Sequence, residues 1–216
     1  MSRWQALVPI KQGATGKSRL GGVLDDGERR ALVRAMAAHV LSVLDQCRDV
    51  GCVTVLSPER PAGWPGAWQY DRGRGLNTEL SAWRAALGGA PGLVLHADLP
   101  LLAEGDVTAL LNLADAQGAA LATDRAGLGT NALALGHGGA FAFRFGRMSR
   151  LLHTAQLPAM PVLQRIGLMA DLDTPDDLQF AEAHGFRVGQ ACRREGSIRR
   201  PGLHNDSNRS GQECVT

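Results

Sequence analysis

The sequence predicts an α/β fold, a three-layer sandwich with a mixed, mostly parallel central sheet. Short apolar runs typical of buried strands alternate along the chain with longer segments whose apolar residues recur every three or four positions. The composition is that of an ordinary globular protein, with 44% apolar and 20% charged residues. At 216 residues, the chain is long enough for one domain with a substantial core.

The first half of the chain shows this alternation most clearly. Residues 4–10 (WQALVPI) form a short apolar run that ends at a glycine-rich turn, which is typical of a buried strand. A helix is expected from Asp26 onward, because apolar residues recur at helical spacing and Asp25 or Asp26 can cap its first turn. Residues 53–56 (VTVL) are the next predicted strand. The apolar stripe of the helix consists of Leu32, Val33, Met36, Val40, Leu41 and Leu44.

The same alternation continues through the second half. We expect helices over residues 78–87, 107–116, 151–157 and 175–184, the last with a proline in its first turn. Strands are expected over residues 93–96, 119–123, 131–135 and 168–172. Strands separated by helices in this way lie mostly parallel in one sheet, which the helices cover on both faces.

The composition changes after residue 188. Residues 189–216 are rich in Arg, Gly, Ser and Asn and lack an apolar period, so we expect a folded domain over residues 1–188 and a basic, flexible tail. The net charge of +2 does not favour a nucleic-acid partner. No apolar stretch is long enough to span a membrane, and the N-terminus has no signal-peptide core. The sequence therefore predicts a soluble, cytoplasmic protein.

The loop after the first predicted strand combines glycines with positive charge. Its backbone N–H groups and cations can surround a triphosphate. It is not a Walker P-loop, because only two residues separate Gly13 from Gly16, where that motif needs four before its Gly-Lys-Ser end. A plain connection with surface lysines explains the loop equally well. Its candidate phosphate-binding residues are Lys11, Lys17, Ser18 and Arg19.

Three aspartates follow predicted strands. Asp98 comes just after residues 93–96, where open α/β sheets bind their ligands. Asp171 and Asp173 are two residues apart at the end of residues 168–172, so they are expected on one face of a strand. Two carboxylates on one face repel each other unless a cation such as Mg²⁺ lies between them. Helix capping is the alternative for Asp98, and it would be the better one for an isolated Asp-Leu-Pro.

Two further loops have the composition of ligand-binding segments. Residues 124–133 contain small and hydroxyl residues that allow close approach of a backbone to a ligand, although a hairpin turn explains them as well. Residues 145–153 offer backbone amides, hydroxyls and cations to a phosphate or a carboxylate. His153 in this segment, taken alone, fits an ordinary helix-face histidine.

Taken in order, these segments resemble the 2-phospho-L-lactate guanylyltransferase family, which makes an activated intermediate of the deazaflavin coenzyme F420. The resemblance extends over roughly residues 8–184. It rests on Lys11 with Lys-Ser-Arg-Leu at 17–20, Gly75-Leu76-Asn77, Ala97-Asp98-Leu99-Pro100, Gly-Thr-Asn-Ala-Leu at 129–133, Phe145-Gly146 with Ser149 and His153, and Asp171-x-Asp173-Thr174-Pro175-x-Asp177-Leu178.

This resemblance implies a nucleotide-diphospho-sugar-transferase-like (MobA-like, Rossmann-like) fold and the transfer of GMP from GTP to a small phosphorylated carboxylic acid, with release of pyrophosphate. By position, the resemblance places Lys11, Lys17, Ser18 and Arg19 at the GTP phosphates, with Lys11, Lys17 and Asp98 as catalytic residues. It assigns Gly75 and Asn77 to the nucleoside, and Asp98, Asp171 and Asp173 to Mg²⁺. It assigns Thr130, Gly146 and Ser149 to the phosphorylated acid.

The resemblance leaves the acceptor open among 2-phospho-L-lactate, phosphoenolpyruvate and 3-phosphoglycerate. Two departures lie near the expected contacts: His96 stands where a proline is expected, and Leu128 where a small residue is expected. A monomer or homodimer is expected, with transient contact to the next enzyme of the pathway. The alternatives are another MobA-like nucleotidyltransferase acting on molybdopterin or a sugar phosphate, a glycosyltransferase, and a non-catalytic nucleotide-binding module.

Overall fold

The structure of the chain, a computed structural model, describes residues 3–10 and 17–188. The strands are β1 (Trp4–Pro9), β2 (Val50–Ser57), β3 (Ala67–Tyr70), β4 (Gly92–Leu95), β5 (Ala119–Ala122), β6 (Ala132–Leu135) and β7 (Val162–Leu163). The helices are α1 (Asp26–Gln46), α2 (Leu76–Ala86), α3 (Glu104–Gln117), α4 (Ser149–Thr154), α5 (Ile166–Met169) and α6 (Pro175–Ala183), together with a short 3-10 helix (Ser18–Leu20).

The strands form one seven-stranded sheet in the order β3-β2-β1-β4-β6-β5-β7. All neighbouring strands are parallel except at β6, which is antiparallel to both β4 and β5. The predicted mixed, mostly parallel sheet is therefore confirmed.

Helices cover both faces of the sheet. On β1, Ala6 and Val8 face a core shared with α1 and α3, whereas Leu7 faces the opposite core with α2. This division follows from the two-residue period of a strand, which sends successive side chains to opposite faces. The three-layer arrangement predicted from the sequence is confirmed.

The N-terminus of α1 forms as the sequence indicates. The Asp25 carboxylate accepts a hydrogen bond from the Glu28 N–H, and the Glu28 carboxylate accepts one from the Asp25 N–H. This reciprocal capping box satisfies two N–H groups that the helix itself leaves unpaired. At α6, Thr174 caps the helix in the same way, and Pro175 occupies the first turn as predicted.

The prediction of a strand over residues 168–172 is wrong. Residues 166–169 are helical instead, and residues 170–173 are irregular. Leu168, Ala170 and Leu172 are nevertheless buried, so the apolar run packs into the core without joining the sheet. The strands β3 and β7 were not predicted, because both are short and β3 follows a segment rich in Pro and Gly.

Among the described residues, no helix combines the length and the apolar character that crossing a bilayer requires. The predicted tail, residues 189–216, lies outside the described residues, as does Lys11.

Candidate active site

The candidate site lies at the edge of the sheet where the parallel strands β1–β4 end. Because β6 is antiparallel to its neighbours, it begins at this same edge, with Ala132 opposite both Leu95 of β4 and Ala122 of β5. The loop after β4 and the loop that joins β5 to β6 therefore meet here. This is the edge where open α/β sheets bind their ligands.

Lys17 joins two of the predicted acidic residues. Its Nζ lies 2.6 Å from Asp98 Oδ2 and 2.6 Å from Asp173 Oδ1, across 81 and 156 residues of sequence. Burial acts to lower the pKa of Lys17, but the two carboxylates outweigh it and raise the pKa above its ordinary value. Lys17 is therefore a largely buried cation that holds the two acidic segments together.

The backbone of Lys17 lies in the left-handed region, with φ 61° and ψ 37°. Non-glycine residues adopt this conformation at a cost, and such residues concentrate at functional sites. Lys17 starts the short 3-10 helix, whose Leu20 is fully buried and anchors the segment. Ser18 and Arg19 of this helix are exposed beside Lys17, so their predicted contact with phosphates stays a prediction.

Asp98 has one carboxylate oxygen in use and one without a partner. Oδ2 accepts from Lys17, whereas Oδ1 is buried and has no hydrogen-bond partner within the described part of the chain. Burial opposes ionisation, but Lys17, helped by His96, holds the pKa of Asp98 below its usual range. A buried anionic oxygen that nothing satisfies is costly, so Oδ1 is well suited to a cation from solution.

Asp171 is placed differently from Asp173. Asn131 Nδ2 donates to Asp171 Oδ1 at 3.1 Å and to the Leu168 carbonyl at 3.0 Å, which holds the irregular segment against the start of β6. Burial raises the pKa of Asp171 to about 6, and the charges of Asp98 and Asp173 act in the same direction against the Asn131 hydrogen bond. The three carboxylates therefore repel one another, as expected of groups that share a region.

The prediction that Asp171 and Asp173 project from one face of a strand is wrong. The segment is not a strand, and Leu172 N–H donates instead to the Asp98 carbonyl at 3.1 Å. Asp171 consequently contacts Asn131, while Asp173 contacts Lys17. The Leu172 hydrogen bond still brings the segment beside Asp98, so the expected neighbourhood forms by a different backbone route.

The donor set is of the kind that Mg²⁺ prefers, since carboxylate oxygens are hard ligands. Within residues 3–10 and 17–188, however, no three His, Cys, Asp or Glu side chains are close enough together to hold a metal as they stand. The Lys17 ammonium lies between Asp98 and Asp173, where a cation would otherwise balance their charge. The assignment of Mg²⁺ to Asp98, Asp171 and Asp173 stays a prediction, and the unpartnered Asp98 Oδ1 is the feature that fits it.

A cleft of about 240 Å³ opens at the same edge of the sheet, at the ends of β1, β2 and β3. Gly75 lines it at the N-terminus of α2, with a φ of 93° that side chains other than glycine rarely allow. Arg74 holds the adjoining turn by donating two hydrogen bonds to the buried Glu79 carboxylate, at 3.0 and 2.9 Å. The cleft is lined by Pro9, Ile10, Leu56, Asp71, Gly73, Gly75 and Leu76.

Asp71 is a candidate residue that the sequence reasoning missed. It immediately follows β3 and is the one ionisable side chain among the described residues that line the cleft. Its Oδ1 accepts from the Gly73 N–H at 2.8 Å, which fixes the turn. An aspartate just past a strand is the signal that identified Asp98, but here the strand itself was not recognised.

Asn77 connects the predicted nucleoside side of the site to the predicted acceptor side. Its Nδ2 donates to the Phe145 carbonyl at 3.1 Å, and its Oδ1 accepts from the Phe145 N–H at 2.8 Å. Both ends of the amide thus bind the backbone of residue 145. Its predicted contact with the nucleoside stays a prediction, and the structure adds a contact that places Gly146.

The predicted acceptor residues lie on the loop before β6 and at the start of α4. Thr130 and Ser149 are each 2% exposed, and the Ser149 N–H donates to the Gly146 carbonyl at 3.2 Å. Gly146 has a φ of 127°, which only glycine adopts readily. The Asp124 carboxylate shapes the loop before Thr130 by accepting from the Leu128 and Gly129 N–H groups.

The two departures noted in the sequence also lie at this edge. The His96 ring is 5.4 Å from the Phe145 ring, centroid to centroid, and it follows β4 directly. Leu128 is 48% exposed, and its carbonyl accepts from the Arg150 N–H. His96 therefore borders the predicted acceptor segment, whereas Leu128 projects toward solvent.

Comparison with known proteins identifies the family to which the chain is related. The sequence model of the family described as "Guanylyl transferase CofC like" matches residues 4–188. A phosphoenolpyruvate guanylyltransferase of Sphaerobacter thermophilus is 37% identical over 191 residues, covering 83% of this chain and 92% of that protein. Another of the same name, from Rubrobacter xylanophilus, is 38% identical over 197 residues, covering 83% of this chain and 94% of that protein.

Among solved structures, the fold is similar to that of a Desulfovibrio desulfuricans protein described as a nucleotide-diphospho-sugar transferase. The TM-score is 0.64 at 16% sequence identity, covering 91% of this chain and 96% of that one. The predicted nucleotide-diphospho-sugar-transferase-like fold is thereby confirmed. Since the family model spans nearly all of the described residues and relatives above 30% identity cover most of the chain, this protein is a nucleotidyltransferase that belongs to the CofC-like guanylyl transferase family.

Proposed function

We propose that this enzyme transfers GMP from GTP to the phosphate of phosphoenolpyruvate in a magnesium-dependent reaction of coenzyme F420 biosynthesis. The observation that carries the proposal is the cluster of Lys17, Asp98 and Asp173, which lies with a cleft at the carboxyl ends of the parallel strands. The choice of acceptor is supported by the name that the relatives from Sphaerobacter and Rubrobacter share.

The nucleoside of GTP occupies the cleft lined by Gly75 and Asp71 in this proposal. Guanine presents adjacent N–H donors on its Watson–Crick edge, whereas adenine has an acceptor at the ring nitrogen of that edge. The Asp71 carboxylate can accept from such donors, because only its Oδ1 is used by the Gly73 turn. From this cleft, the triphosphate extends toward Lys17.

Asp98, with Asp171 and Asp173, would hold Mg²⁺, and the buried Oδ1 of Asp98, which has no partner among the described residues, would be available to it. When bound, the metal neutralises phosphate charge that would otherwise repel the anionic acceptor. Lys17 is held by ion pairs to Asp98 and Asp173, at the edge of the sheet that the triphosphate reaches in this proposal. Its ammonium group would stabilise the negative charge that develops on the leaving pyrophosphate.

The acceptor binds against Thr130, Gly146 and Ser149, across the site from the cleft. One oxygen of its phosphate attacks the α-phosphorus of GTP, the bond from that phosphorus to the bridging oxygen of the β-phosphate breaks, and pyrophosphate leaves with the electron pair. Because the acceptor phosphate is already ionised near neutral pH, no side chain has to remove a proton. The protein contributes positioning and charge stabilisation.

Pyrophosphate release from the purified full-length chain tests this proposal. GTP and Mg²⁺ are supplied with phosphoenolpyruvate, 2-phospho-L-lactate or 3-phosphoglycerate in separate reactions, with ATP and acid-free reactions as controls. Release is expected with GTP and phosphoenolpyruvate, and its loss on chelation of the metal is expected as well. Protein that binds GTP but turns over none of the three acids would contradict the proposal, and release with a different acid would correct the acceptor alone.

The substitution Asp71→Asn tests the placement of the base. Asparagine keeps an oxygen for the Gly73 N–H but replaces the second carboxylate oxygen by a donor. We expect kcat/KM for GTP to fall by about tenfold relative to that for ATP, the effect of losing one charged hydrogen bond. An unchanged ratio of GTP to ATP turnover would remove Asp71 from base recognition.

A further inference from the structure

His153 lies between the predicted acceptor loop and the segment that leads to Gly146. The side chain is fully buried, at 0% exposure. Its Nδ1 lies 3.1 Å from Thr130 Oγ1, and its Nε2 accepts from the Arg144 backbone N–H at 2.9 Å. The rings of Phe141 and Phe145 pack against the imidazole, with centroids 5.5 and 4.9 Å away. Because the ring is enclosed in this way, His153 does not bind a ligand directly as a charged group.

The Arg144 contact decides where the imidazole carries its proton. A backbone N–H can only donate, so Nε2 must be the unprotonated nitrogen. Burial lowers the pKa of His153 to about 4, so the ring is neutral near pH 7 and carries its single proton on Nδ1. Nδ1–H therefore donates to Thr130 Oγ1, which must act as the acceptor in that hydrogen bond.

The Thr130 hydroxyl hydrogen is consequently directed away from His153. Within the described part of the chain, Thr130 Oγ1 has no hydrogen-bond partner other than His153, so its own hydrogen is available to a bound ligand. Because the Nδ1–H donor occupies one of the two lone pairs of Oγ1, the Thr130 hydroxyl can direct its own hydrogen only into the remaining positions, which point away from the imidazole. An anionic oxygen of a phosphorylated acid is the chemical partner that such a donor suits.

We propose that His153 is a positioning residue that orients the Thr130 hydroxyl as a hydrogen-bond donor to the phosphorylated acid. This inference rests on the proposed function, because it deepens the assignment of Thr130 to the acceptor. The Arg144 N–H fixes the tautomer of His153, the protonated Nδ1 of His153 donates to Thr130 Oγ1, and the Thr130 hydroxyl is then able to donate its own hydrogen to the substrate. The role is distinct from that of a buried histidine that only anchors residues 141–145.

Two substitutions separate the two hydrogen bonds of His153. His153→Asn places an amide donor near the position of Nδ1 but cannot reach the Arg144 N–H. His153→Gln places an amide oxygen near the position of Nε2 but withdraws the donor from Thr130. We expect His153→Gln to raise the KM for the acid by about tenfold with little change in the KM for GTP, and His153→Asn to retain a lower KM for the acid.

Stability is expected to follow the opposite order. His153→Asn leaves the buried Arg144 N–H unpaired and should lower Tm more than His153→Gln does. If the KM for the acid instead follows Tm across the two variants, His153 is only a structural anchor and the inference is overturned. His137→Gln is the matched control, because His137 is exposed just after β6, at the opposite edge of the sheet from the site.

Coupling to Thr130 gives the decisive comparison. Thr130→Val should raise the KM for the acid by about ten- to a hundredfold, the cost of losing a hydrogen bond to a charged group. In the Thr130→Val background, His153→Gln should cause no further rise, because its effect passes through the missing hydroxyl. If the two substitutions instead raised the KM for the acid independently, so that their effects multiplied in the double variant, the proposal would be contradicted.

A spectroscopic measurement separates this inference from the proposed reaction. Two-bond ¹H–¹⁵N correlation spectra of the full-length protein report which imidazole nitrogen of His153 carries the proton. The Nδ1–H tautomer is expected, and phosphoenolpyruvate should shift its signal in the wild type but not in Thr130→Val. The Nε2–H tautomer, or a wild-type signal that none of the three acids shifts, overturns the inference even if turnover occurs. Absence of turnover with the expected shifts would contradict only the proposed reaction.

Discussion

The two sides of the candidate site are built by different kinds of interaction. On one side, ion pairs join Lys17 to Asp98 and Asp173, and one carboxylate oxygen is left without a partner in the described chain. On the other side, Thr130 and His153 are buried, neutral and hydrogen-bonded. The first side is held by charge, and the second by directional hydrogen bonds and aromatic packing.

This difference indicates how each side meets its ligand. Ion pairs can exchange partners at little net cost when another cation or anion arrives, so the charged side can rearrange around a metal and a triphosphate. A closed hydrogen-bond chain has one satisfied arrangement and resists change. We therefore expect rearrangement to be confined to the charged side, with the neutral side already in place before the acid binds.

The largest expected effect comes from the charged side at Asp98. Asp98→Ala removes the carboxylate oxygen that has no hydrogen-bond partner among residues 3–10 and 17–188, together with one partner of Lys17. Turnover should fall by about a thousandfold or more, because several kcal/mol of charge stabilisation are lost. Pyrophosphate release measures the effect, and Asp115→Ala at an exposed position of α3 is the control. Near-normal turnover in Asp98→Ala would remove Asp98 from the catalytic machinery.

Lys17→Met should separate catalysis from cation binding. Without the ammonium, Asp98 and Asp173 keep their charges but lose their shared partner. We expect turnover to fall by about a hundredfold, while Mn²⁺ binds the free protein more tightly than it binds the wild type. Electron paramagnetic resonance of free Mn²⁺, without nucleotide, reports the binding, and Arg48→Met at an exposed position is the control. Weaker or unchanged Mn²⁺ binding would show that Lys17 does not occupy a cation position.

The pH dependence of the free energy of unfolding should report the buried, neutral His153 on the hydrogen-bonded side of the site. Burial lowers the pKa of His153 to about 4 from an ordinary value of 6.5, so the unfolded chain binds more protons between these values. This contribution to stability is complete above pH 6.5 and is lost as the pH falls toward 4, and the loss at pH 5 relative to pH 7 is about 2 kcal/mol. Denaturant unfolding of the wild type and of His153→Gln at pH 7 and at pH 5 measures this loss of stability. Parallel pH profiles would contradict a buried, neutral His153.

The strongly periodic parts of the fold were predictable from the sequence. The stripe and cap of α1 are local signals, because the residues that make them are within one helix. The segment 168–172 was misassigned because a short apolar run cannot distinguish a buried strand from a turn of helix followed by an irregular stretch. The missed strand β3 had a further consequence, since Asp71 could not be recognised as a residue at a strand end.

The site was predictable only as a set of candidates. Asp98 was identified by its position after a strand, but its partner Lys17 is 81 residues away, and nothing local specifies that contact. The pairing of Asn77 with Phe145 spans 68 residues and is equally invisible in the sequence pattern. Resemblance to a family supplied candidate roles for such residues, whereas their mutual contacts required the three-dimensional structure.

Asn77 lies between the two sides, so its replacement tests whether they are independent. Asn77→Asp keeps the acceptor for the Phe145 N–H but places a carboxylate oxygen against the Phe145 carbonyl. We expect the KM for the acid to rise by about tenfold through displacement of Gly146, and Mn²⁺ binding at the charged side to remain as in the wild type. Steady-state kinetics and Mn²⁺ titration measure the two sides, with Asn112→Asp at an exposed position of α3 as the control. If Asn77→Asp changed Mn²⁺ binding as much as the KM for the acid, the two sides would be one coupled unit, and the division between a rearranging and a fixed half would be wrong.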